Sequence, residues 1–254
     1  MSNWKLKSAV VPVTGAASGI GLALCKLLRA EGATPAMIDV NRDRLLFAAS
    51  EVYGSAEEAA RHAYAVDVCN SHAIDACFEE ILHTHGPTTH AVAGAGIVGP
   101  SNVLTDTDEQ WHRVIDVNLN GAMYFCRAAA RQMVAAKRGG AIVTIASIAG
   151  LKAKENRASY ATSKAALINL TRALALDLGG FGIRVNALAP GVIDTPIQNS
   201  NRTTLDVVAE TIPLKRIGVS DEIANGVLFL LSTYASYVTG ETLVIDGGLT
   251  AKYR

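Results

Sequence analysis

The stretch AVVPVTGAASGIGLALCKLL, residues 9–28, decides the fold. It begins as a β-branched apolar run over 9–13 and ends as an amphipathic helix predicted over 19–31. Between them lies TGAASGIG, residues 14–21, with Gly15, Gly19 and Gly21 as its glycines and Ser18 and Ile20 among them. Small residues let the backbone turn tightly and approach a diphosphate. The helix start then offers unpaired N–H groups and a positive dipole end to an anion. A glycine turn alone marks only a sharp strand-to-helix connection. Its setting adds the rest: strand, glycines, helix and a later acid are the context of a dinucleotide site. The spacing is GxxxGxG, not GxGxxG.

Outward from this turn, short apolar runs alternate with longer helical stretches. Strands are predicted over 9–13, 34–38, 61–66, 90–93, 141–146, 184–188 and 242–245, and helices over 19–31, 42–50, 71–84, 108–137, 158–178 and 220–232. Most of the strands are almost continuously apolar, as strands covered on both faces must be. The alternation predicts a Rossmann-like, doubly wound parallel α/β sheet of about seven strands with helices on both faces. No linker-like stretch divides the chain, so 1–254 reads as a single domain, with an excursion at about 192–218 placed to close over a ligand. Pro12 falls inside the first strand, where a proline predicts a bulge or a missing ladder bond; Pro35 falls early in the second.

Composition narrows the function. Twenty-three basic residues balance twenty-three acidic ones, so net charge favours neither nucleic acid nor an anionic membrane. Half the residues are hydrophobic and mean hydropathy is +0.24, enough for a substantial core. No apolar run approaches membrane-span length and the start does not read as a signal peptide, so a cytoplasmic protein is expected. Cys25, Cys69, Cys77 and Cys126 form no CxxC and suggest a reducing compartment. Cys69, His72, Cys77, His83 and His85 match no zinc spacing, and no metal is expected.

The acid after the glycine turn is Asp39, closing the second strand in AMIDVNRD. There a carboxylate can accept both hydroxyls of an adenosine ribose and repel a 2′-phosphate, which predicts NAD over NADP; Arg42 is the nearest base. Asp67 closes the third strand beside Val68. It can hold an adenine edge or cap the helix starting near Ser71.

With these pieces in order, the chain resembles the short-chain dehydrogenase/reductase family in its single-domain branch. The resemblance rests on TGxxxGxG at 14–21, Asp67, Asn118 in DVNLNG, Ser147 in TIASIAG, Tyr160-xxx-Lys164, RVNALAPGVIDTP at 184–196 and TGETLVIDGG at 239–248. It covers essentially the whole chain. One departure is the family's Asn-Asn-Ala-Gly, which is here Ala93-Gly94-Ala95-Gly96; the close-approach pair Ala95-Gly96 is kept, while the asparagine that ties neighbouring strands is gone. The resemblance implies Tyr160 as proton carrier, Lys164 as its tuner and a ribose contact, and Ser147 as the group orienting the substrate oxygen. It implies Asn118 as holder of a water relaying protons to Lys164. Pro190 and Gly191 would turn the chain toward the nicotinamide, with Val192, Ile193 and Thr195 at its carboxamide; Thr195 can equally cap a helix before Pro196.

Tyr160 and Lys164 are four apart on a predicted helix and so share a face. A phenol brought from about 10 to about 7 needs roughly 4 kcal/mol, which a lysine cation and an oxidised nicotinamide in a dry cleft can supply. The expected reaction interconverts a secondary alcohol and a ketone. The loop at 148–157, IAGLKAKENR, is polar and basic and has no aromatic residue. It suggests a small polar substrate: a sugar, polyol or sugar acid. Asn156, Arg157, Gln198, Asn199 and Asn201 are candidate substrate contacts. So is Arg254, in a tail that either reaches a neighbour in a homotetramer, the assembly the resemblance implies, or is a frayed end. The alternatives are a 3-oxoacyl-carrier-protein-type ketoreductase and a non-catalytic dinucleotide sensor.

Overall fold

The computed structural model describes residues 4–99, 101–196 and 202–252. Gln198, Asn199, Asn201 and Arg254 lie outside them. Among the described residues, the strands β1 (Val10–Thr14), β2 (Thr34–Asp39), β3 (Ala63–Ala65), β4 (His90–Ala93), β5 (Gly140–Ile145), β6 (Ile183–Pro190) and β9 (Thr242–Ile245) form one seven-stranded sheet. Its order is β3-β2-β1-β4-β5-β6-β9 and its pairs are parallel. The sheet order reverses between β1 and β4, and a crevice at such a switch point is where open α/β sheets bind ligands.

Successive strand residues face opposite sides, which explains the continuously apolar runs. Val11 and Val13 of β1 and Val143 of β5 join one core, with Leu24 and Leu28 of α1 (Gly19–Ala30), Leu45 of α2 (Arg42–Tyr53) and Val227 and Leu231 of α9 (Ser220–Leu231). Val10 and Ile142 join the other, with Ile74 and Phe78 of α4 (Ser71–His85), Phe125 of α6 (Gly121–Ala136) and Leu167 of α7 (Ala158–Gly179).

Both prolines have a place. Pairing of β1 with β2 runs in register through Pro12 without a bulge. The Val10 carbonyl accepts the Thr89 N–H, so Pro12, two residues on, turns its donor-less nitrogen toward β4, where Val13 pairs with Val92. The missing ladder bond is there. Pro35 faces the β3 side, but β3 meets β2 only from Met37 onward. The Pro35 carbonyl takes the Tyr53 hydroxyl at 2.6 Å instead.

Three elements differ from the sequence expectation. The strand predicted over 61–66 shortens to β3, because Arg61 and His62 end a helix, α3 (Ala56–His62), whose N-cap Ser55 accepts the Glu58 N–H. The helix predicted over 108–137 is interrupted: α5 (Asp108–Ile115) passes through a π turn, Asp116–Asn120, into α6. The excursion at 192–218 holds β7 (Ile193–Asp194) and α8 (Arg202–Thr211), and β7 pairs with β8 (Gly218–Val219). Among the described residues no helix is long and apolar enough to cross a membrane.

Candidate active site

A cavity of about 1180 Å³ opens at the C-terminal ends of the central strands. The glycine turn forms its floor. Gly15 has φ +70° and lies so close to β4 that a Cβ would stand 2.9 Å from the Gly94 carbonyl oxygen; a Cβ on Gly21 would overlap the Gly15 carbonyl oxygen. Any larger residue would push the turn apart. Ser18, the N-cap of α1, spends no side-chain bond on capping, and it lines the cavity with Gly15, Gly19, Ile20 and Gly21. The first N–H groups of α1 thus face open space, as an anion cradle requires.

Asp39 stands at the rim, one oxygen accepting the Ala17 N–H at 3.2 Å and the other the Asn41 N–H at 3.0 Å. The carboxylate is therefore fixed against the glycine turn. Of the arginines that follow it in sequence, Arg44 and not Arg42 lines the same cavity. Asp67 and Val68 line the same half. Asp67 accepts the Cys69 N–H in a local turn, while Asn70 caps α4, so capping does not explain Asp67. The tie ascribed to the lost asparagine is supplied by Thr14, whose hydroxyl accepts the N–H groups of Gly94 and Ala95 at 3.0 and 3.1 Å. The fit of a dinucleotide rests on this cradle. Its glycine turn and α1 N-terminus would hold the diphosphate, and Asp39 a ribose.

The other half converges on Tyr160. Tyr160 and Lys164 rise from the start of α7, and Ser147 follows β5. Ser147 and Lys164 are buried. The Lys164 Nζ donates to the Ile145 carbonyl at 2.9 Å and lies 5.8 Å from the centre of the Tyr160 ring. Ala95 and Gly96 border it; a Cβ on Gly96 would come within 3.3 Å of Nζ. Burial lowers the Lys164 pKa to about 8. Burial raises that of Tyr160, opposed by the Ser147 hydroxyl within hydrogen-bonding reach and by the positive charge of Arg157. The expected lowering of the phenol counts on an oxidised nicotinamide as well as on Lys164; in the protein without it, burial outweighs the Ser147 and Arg157 contributions.

Asn118 lies in the π turn and is fully buried. Its amide donates to the Ile97 carbonyl and the Ser163 hydroxyl, each at 3.0 Å, and its oxygen accepts the Ile97 N–H at 2.8 Å. The side chain holds the β4 exit loop against α7.

The roof comes from Pro190, Gly191, Val192, Ile193 and Thr195, all at the cavity wall. Thr195 donates to the Ile193 carbonyl at 3.4 Å; the segment after Pro196 that it could cap lies outside the described residues. The pocket mouth departs from expectation. Arg157 lines the cavity, but Asn156 does not. Asn156 sits at φ +55°, its carbonyl accepts the Ser101 N–H and its side chain accepts from Asn102. It shapes the loop, a use asparagine suits because it tolerates left-handed backbone. Lys152 donates to the Thr250 carbonyl and Lys252 to that of Thr211, so the tail, as far as residue 252, bonds to its own chain. Leu205 and Val208 of α8, His112 and Arg113 of α5 and Lys154 also reach the cavity; of these, sequence reasoning marked only Lys154, since apolar helix residues outside any motif carry no signal.

Fold and site together define a dinucleotide-binding α/β protein with a half-buried tyrosine and a buried lysine at the cofactor crevice. The chain belongs to the short-chain dehydrogenase/reductase family. Residues 15–250 match the family model described as Enoyl-(Acyl carrier protein) reductase. The chain is 36% identical over 245 residues to a 3-oxoacyl-[acyl-carrier-protein] reductase of Chlamydia muridarum, covering 96% of this chain and 97% of that one. It is 38% identical over 260 residues to 2-(R)-hydroxypropyl-CoM dehydrogenase of Xanthobacter autotrophicus, covering 96% and 99%. It is similar in structure to a short-chain type dehydrogenase/reductase from Mycobacterium marinum, with TM-score 0.91, 32% identity and 98% of each chain covered. It is an oxidoreductase, of a family that works with NAD or NADP.

Proposed function

We propose that the protein interconverts a secondary alcohol and a ketone, using NAD(H). The observation that carries this is the convergence of Ser147, Tyr160 and Lys164 on one cavity beside the glycine cradle. The nicotinamide, when bound, supplies or accepts the hydride. Tyr160 gives its phenolic proton to the substrate oxygen in reduction and takes it back in oxidation. Ser147 donates a hydrogen bond to the same oxygen and fixes its position. The buried Lys164 ammonium favours the phenolate once the cleft is filled. Asn118 acts from behind by holding the loop that carries Ile97. Asp39 favours NAD, since it would meet a 2′-phosphate with like charge.

For the substrate we infer a small polar molecule, and among sugars, polyols and sugar acids the acid. Lys154 and Arg157 at the mouth support an anion, whereas the amide of Asn156 is turned to the loop. A 3-oxoacyl thioester is the second reading, supported by the printed names of the 3-oxoacyl-carrier-protein reductase of Chlamydia muridarum and of a (3R)-3-hydroxyacyl-CoA dehydrogenase of Canis lupus familiaris, 35% identical over 252 residues. A purely sensing role is disfavoured because the tyrosine, lysine and serine are all present. The whole chain would act as one domain and, as the resemblance implies, as a cytoplasmic homotetramer. Exposed Leu176 on α7, and Val244 on β9 at the sheet edge, are apolar surface that self-association would cover.

The test is a spectrophotometric screen with NAD⁺ and NADP⁺ against polyols, aldonates, 3-hydroxy acids and 3-hydroxyacyl thioesters. Turnover that disappears in Tyr160→Phe supports the reading. No turnover with any of them, while NADH still binds, would favour the sensor.

A further inference from the structure

Arg157 is a half-buried cation whose surroundings hold it in place rather than neutralise it. Its Nη1 donates to the Asn156 carbonyl at 2.9 Å and, more loosely, to the Gly99 carbonyl at 3.5 Å. The loop supplying those carbonyls is itself pinned. Ser101 forms a bridge with Arg157, its hydroxyl donates to Asp106 and it accepts the Ser159 N–H. Among the described residues no carboxylate pairs with the Arg157 guanidinium, and the remaining residues of the sequence carry no aspartate or glutamate. The cavity's own carboxylates are Asp39 and Asp67 at the ends of β2 and β3, and Glu109 and Asp116 on α5 and the π turn. A guanidinium fixed at a pocket wall, with donors to spare, suits a planar or tetrahedral oxyanion. Leu205 and Val208 give the same cavity apolar surface.

We propose that Arg157 seats an anionic group of the substrate, a carboxylate, sulfonate or phosphate, joined to the reacting carbon by a short apolar spacer. This rests on the oxidoreductase reading and narrows its substrate to small hydroxy or oxo anions. It also disfavours neutral polyols.

The test uses the full-length protein with NADH bound, titrated by fluorescence with butanoate, propane-1-sulfonate, propyl phosphate and the neutral butanamide. At least one anion is expected to bind tighter than butanamide by on the order of tenfold to a hundredfold, the worth of a charge-assisted pair. Arg157→Gln should bring that ratio close to one, and Arg157→Lys should keep part of it because a point charge replaces the fork. NADH affinity and thermal melting of each variant show whether it folds; if Arg157→Gln does not, the drop in ratio in Arg157→Lys carries the test. Butanamide binding as tightly as every anion would overturn the proposal, and so would a preference that survives Arg157→Gln. A preference that holds while no oxo or hydroxy anion is turned over would count against the proposed reaction and leave the anion seat standing.

Discussion

At the scale of single residues, the site is a contest between burial and charge around one phenol. Burial pushes Tyr160 up; the Ser147 hydroxyl and then the Arg157 cation pull it down. Alcohol oxidation needs the phenolate, so its rate should rise with pH toward the phenol's pKa. Removing a nearby cation raises that pKa. In Arg157→Gln the ascending limb of kcat for oxidation should therefore move to higher pH, and an unmoved limb would show that this charge does not reach Tyr160. Tyr160→Phe should cost about two to four powers of ten in kcat while NADH binding persists. Tyr160 and Lys164 were legible in sequence because four residues on a helix share a face, while Ser147 and Asn118 were marked only by the family resemblance. Asn156 misled for a physical reason: the side chains of a polar loop look alike in sequence, whether they face a ligand or hold the loop's own turn. Leu205 and Val208 were silent because an apolar residue at a pocket wall is indistinguishable in sequence from one in the core.

At the scale of elements, the edge unit of α2, α3 and β3 shows where sequence reasoning fell short and what it costs the molecule. Ser55 followed by Glu58 is a helix-start pattern that could have marked α3, but the β-like run after it drew the strand too far forward and α3 was missed. The π turn was not legible, since apolar positions continue through it. His62, at the end of α3, stacks between Tyr53 and His85, with ring centres 3.8 and 4.4 Å away, and its buried Nδ1 has no partner. Burial, then the charges of His85, Arg29 and Arg61, lower its pKa from 6.5 to about 4. Between those values the unfolded chain binds the proton and the folded one does not. Stability should therefore fall as pH drops from about 6.5 toward about 4, by on the order of 2 kcal/mol from this residue. His62→Phe keeps the stack and removes the titration. Urea midpoints at pH 7 and pH 4.5 should lie closer together in the variant than in the wild type; an equal gap would place the acid sensitivity elsewhere.

At the scale of the whole molecule, a doubly wound parallel sheet of about seven strands was legible because alternation and handedness leave few choices, and the glycine turn fixes which end carries the site; the order of its strands was not read from the sequence. The tail was not, since its bonds to Thr211 and from Lys152 join residues far apart in sequence. A cavity of about 1180 Å³ in the native state should couple ligand to stability. NADH at a hundred times its Kd adds about 2.7 kcal/mol, a rise in Tm of roughly 5–10 °C for a chain of this size. NADPH at equal concentration should raise Tm less, and Asp39→Ala should narrow the difference; a larger shift with NADPH in the wild type would refute the reading of Asp39. The π turn at Asp116–Asn120 also sets how the gene can change in length. It carries one residue more than an unbroken helix would need. Deleting a single codon there would heal the helix and leave α5 and α6 nearly in phase, because the wider turn already absorbs the extra residue. Phe125 and Met133 would keep their core, while the Asn118 amide would lose the turn that aims it at Ile97 and Ser163. A one-residue gap at this turn would therefore spare the fold and cost the site, and a relative aligned with such a gap should be checked there before it is used to infer function.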